Sequence, residues 1–565
     1  MLTNISIRNF KTFENADLEL GERVVLVGTN NSGKSSVLQA LALWSVGVRR
    51  WVEKHGTEDA PQKRPGATIN RRDLIALPIP SADLLWRNRR VREGEKSEDK
   101  HRTRNVFIDI IVNGVDNGEK WSAALEFDYA NVESFYCRSK IGDDGQRRAV
   151  PAHASRLRVA YLPPMSGLVS NETRLDEGAI NVRIGEGRTA EVLRNLCWSV
   201  LQKNPKEWTD IVGKMTKLFG VQIDDPKYVP ERGEIVMSFR NMGGVGLDLS
   251  AAGRGQQQTL LLLAHMAANP ESVLLLDEPD AHLEFLRQRQ IYQVLTDAAA
   301  RTHSQIIAAS HSEVLLNEAA DRDIVIAFVG QPHRIDDRGS QVLKALKEIG
   351  FDQYIQAEER GWVLYLEGAT DLAILRSFAQ SLNHRAQEVL ETPFVHYVGN
   401  QPAQARSHFY ALREAKPELK AIAVYDRLEA GLQQNPDIEQ HMWARREIEN
   451  YLSQRETLLR FAAGRGRELQ GDLFAMAWRD QMEKSIKEVE SALSTLGRPS
   501  PWGPDLKVSD EFLSPIFEKF YESLGLPNLM RKTDFHTMAP FVDPKDISDE
   551  IIQLLDKIAK LSTAN

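Results

Sequence analysis

The stretch 249–280, LSAAGRGQQQTLLLLAHMAANPESVLLLDEPD, decides the fold. Its opening, Ser250 to Gly255, is polar and Gly-containing, which predicts a turn, and an apolar helical run follows. The chain then enters Val273-Leu274-Leu275-Leu276 and closes on Asp277-Glu278. An all-aliphatic strand ending in two acids fits a buried parallel strand that delivers carboxylates to the C-terminal edge of a sheet, where ligands bind in open α/β folds. Asp277 is the expected Mg²⁺ ligand and Glu278 the group that polarises an attacking water. Two acids after a strand also arise by chance, so their partners elsewhere in the chain carry the decision.

The first partner lies near the N-terminus. Arg23-Val24-Val25-Leu26-Val27 reads as a strand and runs into Gly28-Thr29-Asn30-Asn31-Ser32-Gly33-Lys34-Ser35, which satisfies G-x-x-x-x-G-K-[ST]. Val37, Leu38, Ala40 and Leu41 then repeat at helical spacing. The glycines let backbone N–H groups curl around phosphate oxygens, and the helix N-terminus favours the anion. Lys34 reaches the β- and γ-phosphates, and the Ser35 hydroxyl joins Mg²⁺. The nucleotide-binding set is thus Asn30, Asn31, Ser32, Gly33, Lys34, Ser35 and Ser36, with Asp277 opposite.

At 565 residues the chain exceeds one core, and two to four domains are expected. Hydrophobic residues make up 42% and charged residues 27%, as in ordinary globular protein. No apolar run approaches the ~20 residues of a membrane span, and the N-terminus has no signal-peptide pattern. Cys137 and Cys197 are the only cysteines, too few for a disulfide framework or a cysteine zinc site. A cytoplasmic protein is expected. The net charge of −8 argues against a surface that coats nucleic acid uniformly, yet it permits a local basic patch.

Such a patch falls in an insertion at about 46–105. Between Arg87 and Arg104 there are eight Arg and Lys against four Asp and Glu. A solvated surface insertion and phosphate-backbone contact are both open readings. Residues 106–112, 123–127 and 157–162 read as strands. Two helical patterns, 189–201 and 208–219, lie in a region of about 165–232 that forms either an arm or subunit contact or an internal packing pair. A strand at 305–310 ends at His311, placed to touch a γ-phosphate.

The ordered set of phosphate loop, Leu249-Ser250-Ala251-Ala252-Gly253, the 273–278 strand and His311 resembles the ABC-type ATPases, in the branch related to DNA-repair and chromosome-structure ATPases. The resemblance covers about residues 1–345. It implies that Ser250 and Gly253 contact ATP held by a second subunit, so that ATP closes a homodimer or a higher homo-oligomer. Ala251-Ala252 departs from the double glycine of that signature, and Arg254-Gly255-Gln256 shifts its glutamine. His282, in Asp-Ala-His-Leu, follows a pattern like the family's and is equally consistent with a structural role.

A second domain is expected from 356 onward, after an ATPase domain of 1–355. Trp362-Val-Leu-Tyr-Leu ends in Glu367-Gly368 with Asp371 one turn later, and Ala421-Ile-Ala-Val-Tyr ends in Asp426. Strands at 394–398 and 421–425 alternating with helices at 372–382 and 401–416 mean a small parallel sheet. Glu367 and Asp426 then fall at strand C-termini, where carboxylates suit Mg²⁺. This pattern resembles a Toprim domain, which has an acid after its first strand and Asp-x-Asp after its third. Leu428 stands where the second Asp belongs. Glu429, or Glu447 and Glu449 in Arg445-Arg-Glu-Ile-Glu-Asn-Tyr451, are the candidate replacements. The tail from 453 is helical and ends in an amphipathic pattern, Ile547, Ile551, Leu554, Leu555, Ile558 and Leu561.

An ABC-type ATPase followed by a Toprim domain resembles the overcoming-lysogenization-defect (OLD) nucleases, which include the nuclease-ATPase subunit of Gabija anti-phage defence. That resemblance spans nearly the whole chain. It implies an α/β protein with a helical insertion in its ATPase domain and a helical C-terminal extension. The implied activity is ATP-regulated DNA cleavage with Mg²⁺, or Mn²⁺ at the second site, held by Glu367, Asp371, Asp426, Glu429 and Glu449. Glu278, His311, Glu367, Asp426 and Lys532 are the implied catalytic residues, Lys532 being the family's late lysine. A defence-system partner protein is a further implication. An ATP-driven DNA-binding scaffold with a degenerate Toprim domain, motivated by Leu428, and a Toprim nuclease acting on tRNA are the alternatives.

Overall fold

The computed structural model describes all 565 residues except 58–65, 75–76, 78, 98–99, 142–146, 170, 242, 321, 336–348, 430 and 563–565. The chain divides into two compact units, Met1–Leu343 and Lys344–Asn565. The expected boundary at 355/356 falls inside the helix Phe351–Arg360, which belongs to the second unit.

In the first unit, six strands form a sheet in the order Val159–Leu162, Val273–Asp277, Gln305–Ser310, Arg23–Gly28, Ile324–Phe328 and His333–Arg334. All pairings are parallel except the last. The run 273–277 is buried at every residue, as an inner parallel strand requires. A second, antiparallel sheet is built from Phe13–Glu19, Leu2–Phe10, Ile108–Asp116, Glu119–Asn131, Ser134–Ser139 and Ala67–Asn70.

The phosphate-loop helix, Lys34–His55, joins one core with both sheets: Leu41 and Trp44 share a cluster with Leu26 and Leu275 of one and Leu125 and Phe127 of the other. Gly47 lets the helix approach the antiparallel sheet, because a Cβ there would stand 2.8 Å from Leu125 and 3.0 Å from Phe127. Gln305 ties the sheets again, exchanging two 2.8 Å hydrogen bonds with the Leu2 backbone and donating to Gly21 O.

The two insertions take definite forms. The helix Lys34–His55 occupies the start of the expected basic insertion, and the strands Arg92–Ser97 and Lys100–Asn105 pair as a hairpin. Part of that insertion, including Lys63 and Arg64, lies outside the described residues. In the helical region, Leu193–Lys203 and Pro205–Phe219 bury Leu196, Cys197, Trp208, Ile211 and Met215 against the helix Arg254–Ala268. They are an internal packing layer, since their apolar stripes are covered within the unit.

The second unit has a four-stranded parallel sheet in the order Val395–Tyr397, Trp362–Leu366, Lys420–Tyr425 and Ile438–Met442. The last strand is absent from the sequence reading, because Ile438 alone of its five residues is buried and the run carries no apolar alternation. The helix Asp549–Ser562 buries Ile551, Leu554, Leu555 and Ile558. Among the described residues no helix is long and apolar enough to cross a membrane.

Candidate functional site

The phosphate loop turns through two left-handed residues, Asn31 at φ 63° and Gly33 at φ 107°. Gly33 has a second reason to lack a side chain, since a Cβ there would stand 2.7 Å from the Phe13 ring. Lys34 is buried and donates to the Gly28 and Thr29 carbonyls, both at 2.7 Å. Burial lowers its pKa, against the pull of Glu278 and Asp277. Ser32 Oγ is buried with no hydrogen-bond partner, a free polar atom inside a loop whose shape fits a phosphate. Asn30 and Asn31 are exposed, and Ser36 is half-buried on the first turn of the helix.

Asp277 faces this loop. Its Oδ1 accepts from Ser35 Oγ at 2.9 Å and its Oδ2 from the Tyr161 hydroxyl at 3.1 Å. Burial raises its pKa, and the Ser35 and Tyr161 hydrogen bonds oppose the rise. Glu278 adopts a left-handed φ of 51°, with its backbone N–H held by Ala309 O at 2.9 Å. Its Oε1 lies 3.8 Å from His311 Nδ1, and both side chains are solvent-accessible. The structure thus brings Lys34, Ser35, Asp277, Glu278 and His311 to one sheet edge. His282 takes a left-handed φ of 64°, and its carbonyl backs the Gly255 Cα.

The signature turn is presented outward. Asp248 caps it by accepting from Ser250 N at 2.8 Å, and buried Arg194 donates to the same Oδ1 at 2.9 Å. Gln257 Nε2 ties the turn from inside through the Leu249 and Ala252 carbonyls. Ser250 and Gly253 are exposed, and a Cβ on Gly253 would touch nothing within 4 Å. The folded unit itself therefore gives Gly253 no steric reason to be glycine.

Two participants were missed in the sequence. Tyr161 reads there as an ordinary strand residue, and only the pairing of 159–162 beside 273–276 places it on Asp277. Gln39, one helical turn beyond Ser35, hydrogen-bonds both Tyr161 and Lys11.

In the second unit, four acids approach one another. Asp371 accepts from Glu367 N at 3.1 Å and from Gly368 N, and burial plus the Glu367 charge pushes its pKa up to about 6. Asp426 follows the strand Lys420–Tyr425, with its backbone N–H held by Asn400 Oδ1 at 3.1 Å. Burial, a hydrogen bond with Glu367 and the charges of Glu367, Asp371 and Glu449 hold Asp426 well above the carboxylate range.

Glu449 lies on a short 3₁₀ turn, Ile448–Tyr451, fixed by Asn450 to the Leu506 carbonyl and by Glu447 to the Ser509 N–H. Burial, then Glu447 and Asp371, push Glu449 up to about 8. Glu447 is engaged structurally, accepting from Ser509 N at 2.6 Å and Oγ at 3.0 Å.

Glu429 does not join this group. It is exposed, while Leu428 packs against the apolar cluster of Val363, Tyr365 and Tyr425. Lys532 donates to Asp510 at 2.7 Å, and its charge acts on Glu447 and Glu449. Lys507, unremarked in the sequence, pairs with the other Asp510 oxygen at 2.9 Å and lies within electrostatic reach of Glu447 and Glu367.

Oxygen-only donors of this kind suit Mg²⁺ or Mn²⁺, and mutual repulsion among the acids is charge that a cation would relieve. As the side chains stand, no group of three or more His, Cys, Asp or Glu among the described residues encloses one cation position.

A phosphate loop, a facing Asp-Glu pair and a sheet-edge histidine define a nucleoside-triphosphatase site. Residues 1–47 match the family described as "AAA ATPase domain", and residues 48–317 match that described as "AAA domain, putative AbiEii toxin, Type IV TA system". The first unit carries an ATPase domain of this AAA class. No curated protein matches the chain.

Among solved structures, the SMC head domain from Thermotoga maritima matches at 16% identity, covering 59% of this chain and 98% of that one, with a TM-score of 0.31. An SmcHead bound to the C-winged helix domain of ScpA matches at 12% identity over 59% and 97%, with a TM-score of 0.34. An Smc head with an extended coiled coil, bound to a ScpA C-terminal domain derived from Pyrococcus furiosus, matches at 12% identity over 62% and 99%, with a TM-score of 0.36.

Proposed function

We propose that the chain is an ATP-regulated, divalent-metal-dependent nuclease of the OLD type acting on DNA, with a Toprim-like second unit and a role in defence against phage. The observation that carries this reading is that Glu367, Asp371 and Glu449 all act electrostatically on Asp426, which follows a strand of the second unit's parallel sheet. Asp371, Asp426 and Glu449 have raised pKa values through burial and neighbouring acids, and such costly arrangements are characteristic of functional sites.

Glu367, Asp371, Asp426 and Glu449 would hold the cation. When bound, Mg²⁺ or Mn²⁺ supplies Lewis-acid activation of water and stabilisation of the leaving oxygen. Lys507 and Lys532, aligned by Asp510, offset the negative charge of a phosphodiester approaching the acids. Glu429 is set aside as a ligand in favour of Glu449. Glu449→Ala should therefore reduce plasmid cleavage at least tenfold and Glu429→Ala less than twofold; equal losses in a Mg²⁺ cleavage assay would reverse the assignment.

In the first unit, Lys34 and the loop N–H groups bind the β- and γ-phosphates. Ser35 and Asp277 would hold Mg²⁺, Glu278 would orient the attacking water, and His311 would contact the γ-phosphate. The exposed Ser250 and Gly253 complete the ATP site of a second copy, so ATP favours a homodimer. Glu278→Gln keeps the nucleotide contacts and removes the base. It should bind ATP with parental affinity and lower turnover by about 10²-fold or more, the range of a lost general base. Parental turnover in that variant would remove Glu278 from the role.

A DNA-binding scaffold without cleavage is the second reading. Leu428 packed into the apolar cluster and the absence of a ready three-acid cage among the described residues favour it. A cleavage assay with Mg²⁺ and Mn²⁺ on plasmid DNA and on tRNA separates the readings.

A further inference from the structure

The first unit holds a cavity of about 220 Å³, lined in part by Val46 and Arg49 of the phosphate-loop helix, Tyr161, Ile184 and His265. Val46 and Arg49 stand on the C-terminal half of that helix, away from Lys34 and Ser35 at its start. We propose that this cavity is a binding site for a small monoanion built on one ring, an aromatic or heteroaromatic carboxylate. Its carboxylate meets Arg49 and its far polar edge meets His265.

His265 is 3% exposed, and neither ring nitrogen completes a hydrogen bond. The Ala160 carbonyl acts on the ring, and among the described residues at least one of the two nitrogens is left for another partner. A buried polar atom without a partner costs about 1–3 kcal/mol, and one that lines a cavity is met by whatever enters. Burial also holds the ring neutral at physiological pH, with a pKa lowered to about 4. With its N–H toward the Ala160 carbonyl, a neutral imidazole keeps an acceptor, which suits a hydroxyl or ring N–H, and it carries no charge to pair with an anion.

The anion's partner is Arg49, which also lines the cavity. Arg49 is exposed and forms no ion pair among the described residues, whereas Asp73, the acid on the cavity wall, is neutralised by Arg50 at 3.1 Å. Val46 and Ile184 offer apolar wall to a ring. The space of about 220 Å³ admits a single aromatic ring that bears a carboxylate.

Tyr161 gives the site a consequence. The residue lines the cavity, and its hydroxyl holds Asp277 Oδ2 at 3.1 Å. An occupant that shifts the ring alters the support of Asp277, so ligand binding should change ATP turnover. This coupling rests on the role proposed for Asp277; the binding does not.

The test uses the full chain and 4-hydroxybenzoate as probe, with phenol as its uncharged counterpart. Titration calorimetry should show saturable one-to-one binding of 4-hydroxybenzoate, at least tenfold tighter than phenol and weakened tenfold or more by Arg49→Ala. His265→Phe removes both ring nitrogens and should weaken binding of both tenfold or more. ATP affinity should be unchanged in Arg49→Ala, which alters an exposed side chain and keeps the test valid if the His265 variant fails to fold. Absence of saturable binding, or equal binding by Arg49→Ala, overturns the site. Saturable binding with an ATP turnover rate unchanged at saturation overturns the coupling to Asp277.

Discussion

Glu367→Ala and Asp426→Ala are each expected to abolish metal-dependent cleavage while leaving ATP turnover within about twofold of the parent. The two acids end neighbouring parallel strands, Trp362–Leu366 and Lys420–Tyr425, and hydrogen-bond each other. Removing either takes away a metal ligand and part of the charge that retains the cation. Electrostatic stabilisation by a bound metal is worth several kcal/mol, so the loss should be on the order of 10³-fold. ATP turnover is spared because Lys34, Ser35, Asp277 and Glu278 are held by a separate sheet with its own core. The measurements are plasmid cleavage in Mg²⁺ or Mn²⁺ and phosphate release on the same preparation. Cleavage that survives both substitutions sinks the nuclease reading. Cleavage absent from the parent under every condition favours the scaffold.

Lys34→Ala should abolish measurable ATP hydrolysis and weaken ATP binding by roughly 10²- to 10³-fold. Lys34 Nζ donates to the Gly28 and Thr29 carbonyls, a position from which it turns toward phosphate oxygens with little loss of geometry. Two charge-assisted hydrogen bonds to phosphate, each about 1.5–3 kcal/mol, account for the size of the effect. Lys34→Arg is the informative companion. The wider guanidinium does not fit a buried position closed by the loop's own carbonyls, so charge alone should fail to restore binding. ATP affinity measured by calorimetry that is unchanged in Lys34→Ala would refute the phosphate-loop assignment.

The nucleotide site was legible because it is local. Gly28 to Ser35 form one loop, and the spacing of glycines, lysine and serine follows from the shape of a phosphate. The strand 273–277 announced itself through four consecutive aliphatic residues, Val273 to Leu276, and the structure buries all of them. Tyr161 was not legible, because its partner Asp277 is 116 residues away and only strand order brings them together. The second site shows the same division. Glu367 and Asp426 carry a signal, since each follows an apolar strand. The choice between Glu429 and Glu449 carries none.

What separates the two acids in the fold is packing. Leu428 enters the apolar cluster of the small sheet, and the chain beyond it leaves Glu429 exposed. Glu449 is drawn in by a 3₁₀ turn whose capping acid, Glu447, is fixed to Ser509 from 62 residues away. The sequence by itself determined the α/β class, the phosphate loop, and the acids that follow its apolar strands. Those features depend on neighbours within a few residues, through backbone geometry and hydrophobic period. Tertiary structure alone decided that the helices Leu193–Lys203 and Pro205–Phe219 pack inward, that Tyr161 braces Asp277, and that Lys507 stands beside Lys532 on Asp510. Each of these is a meeting of side chains distant in sequence, and no local pattern records which distant partner a side chain will find.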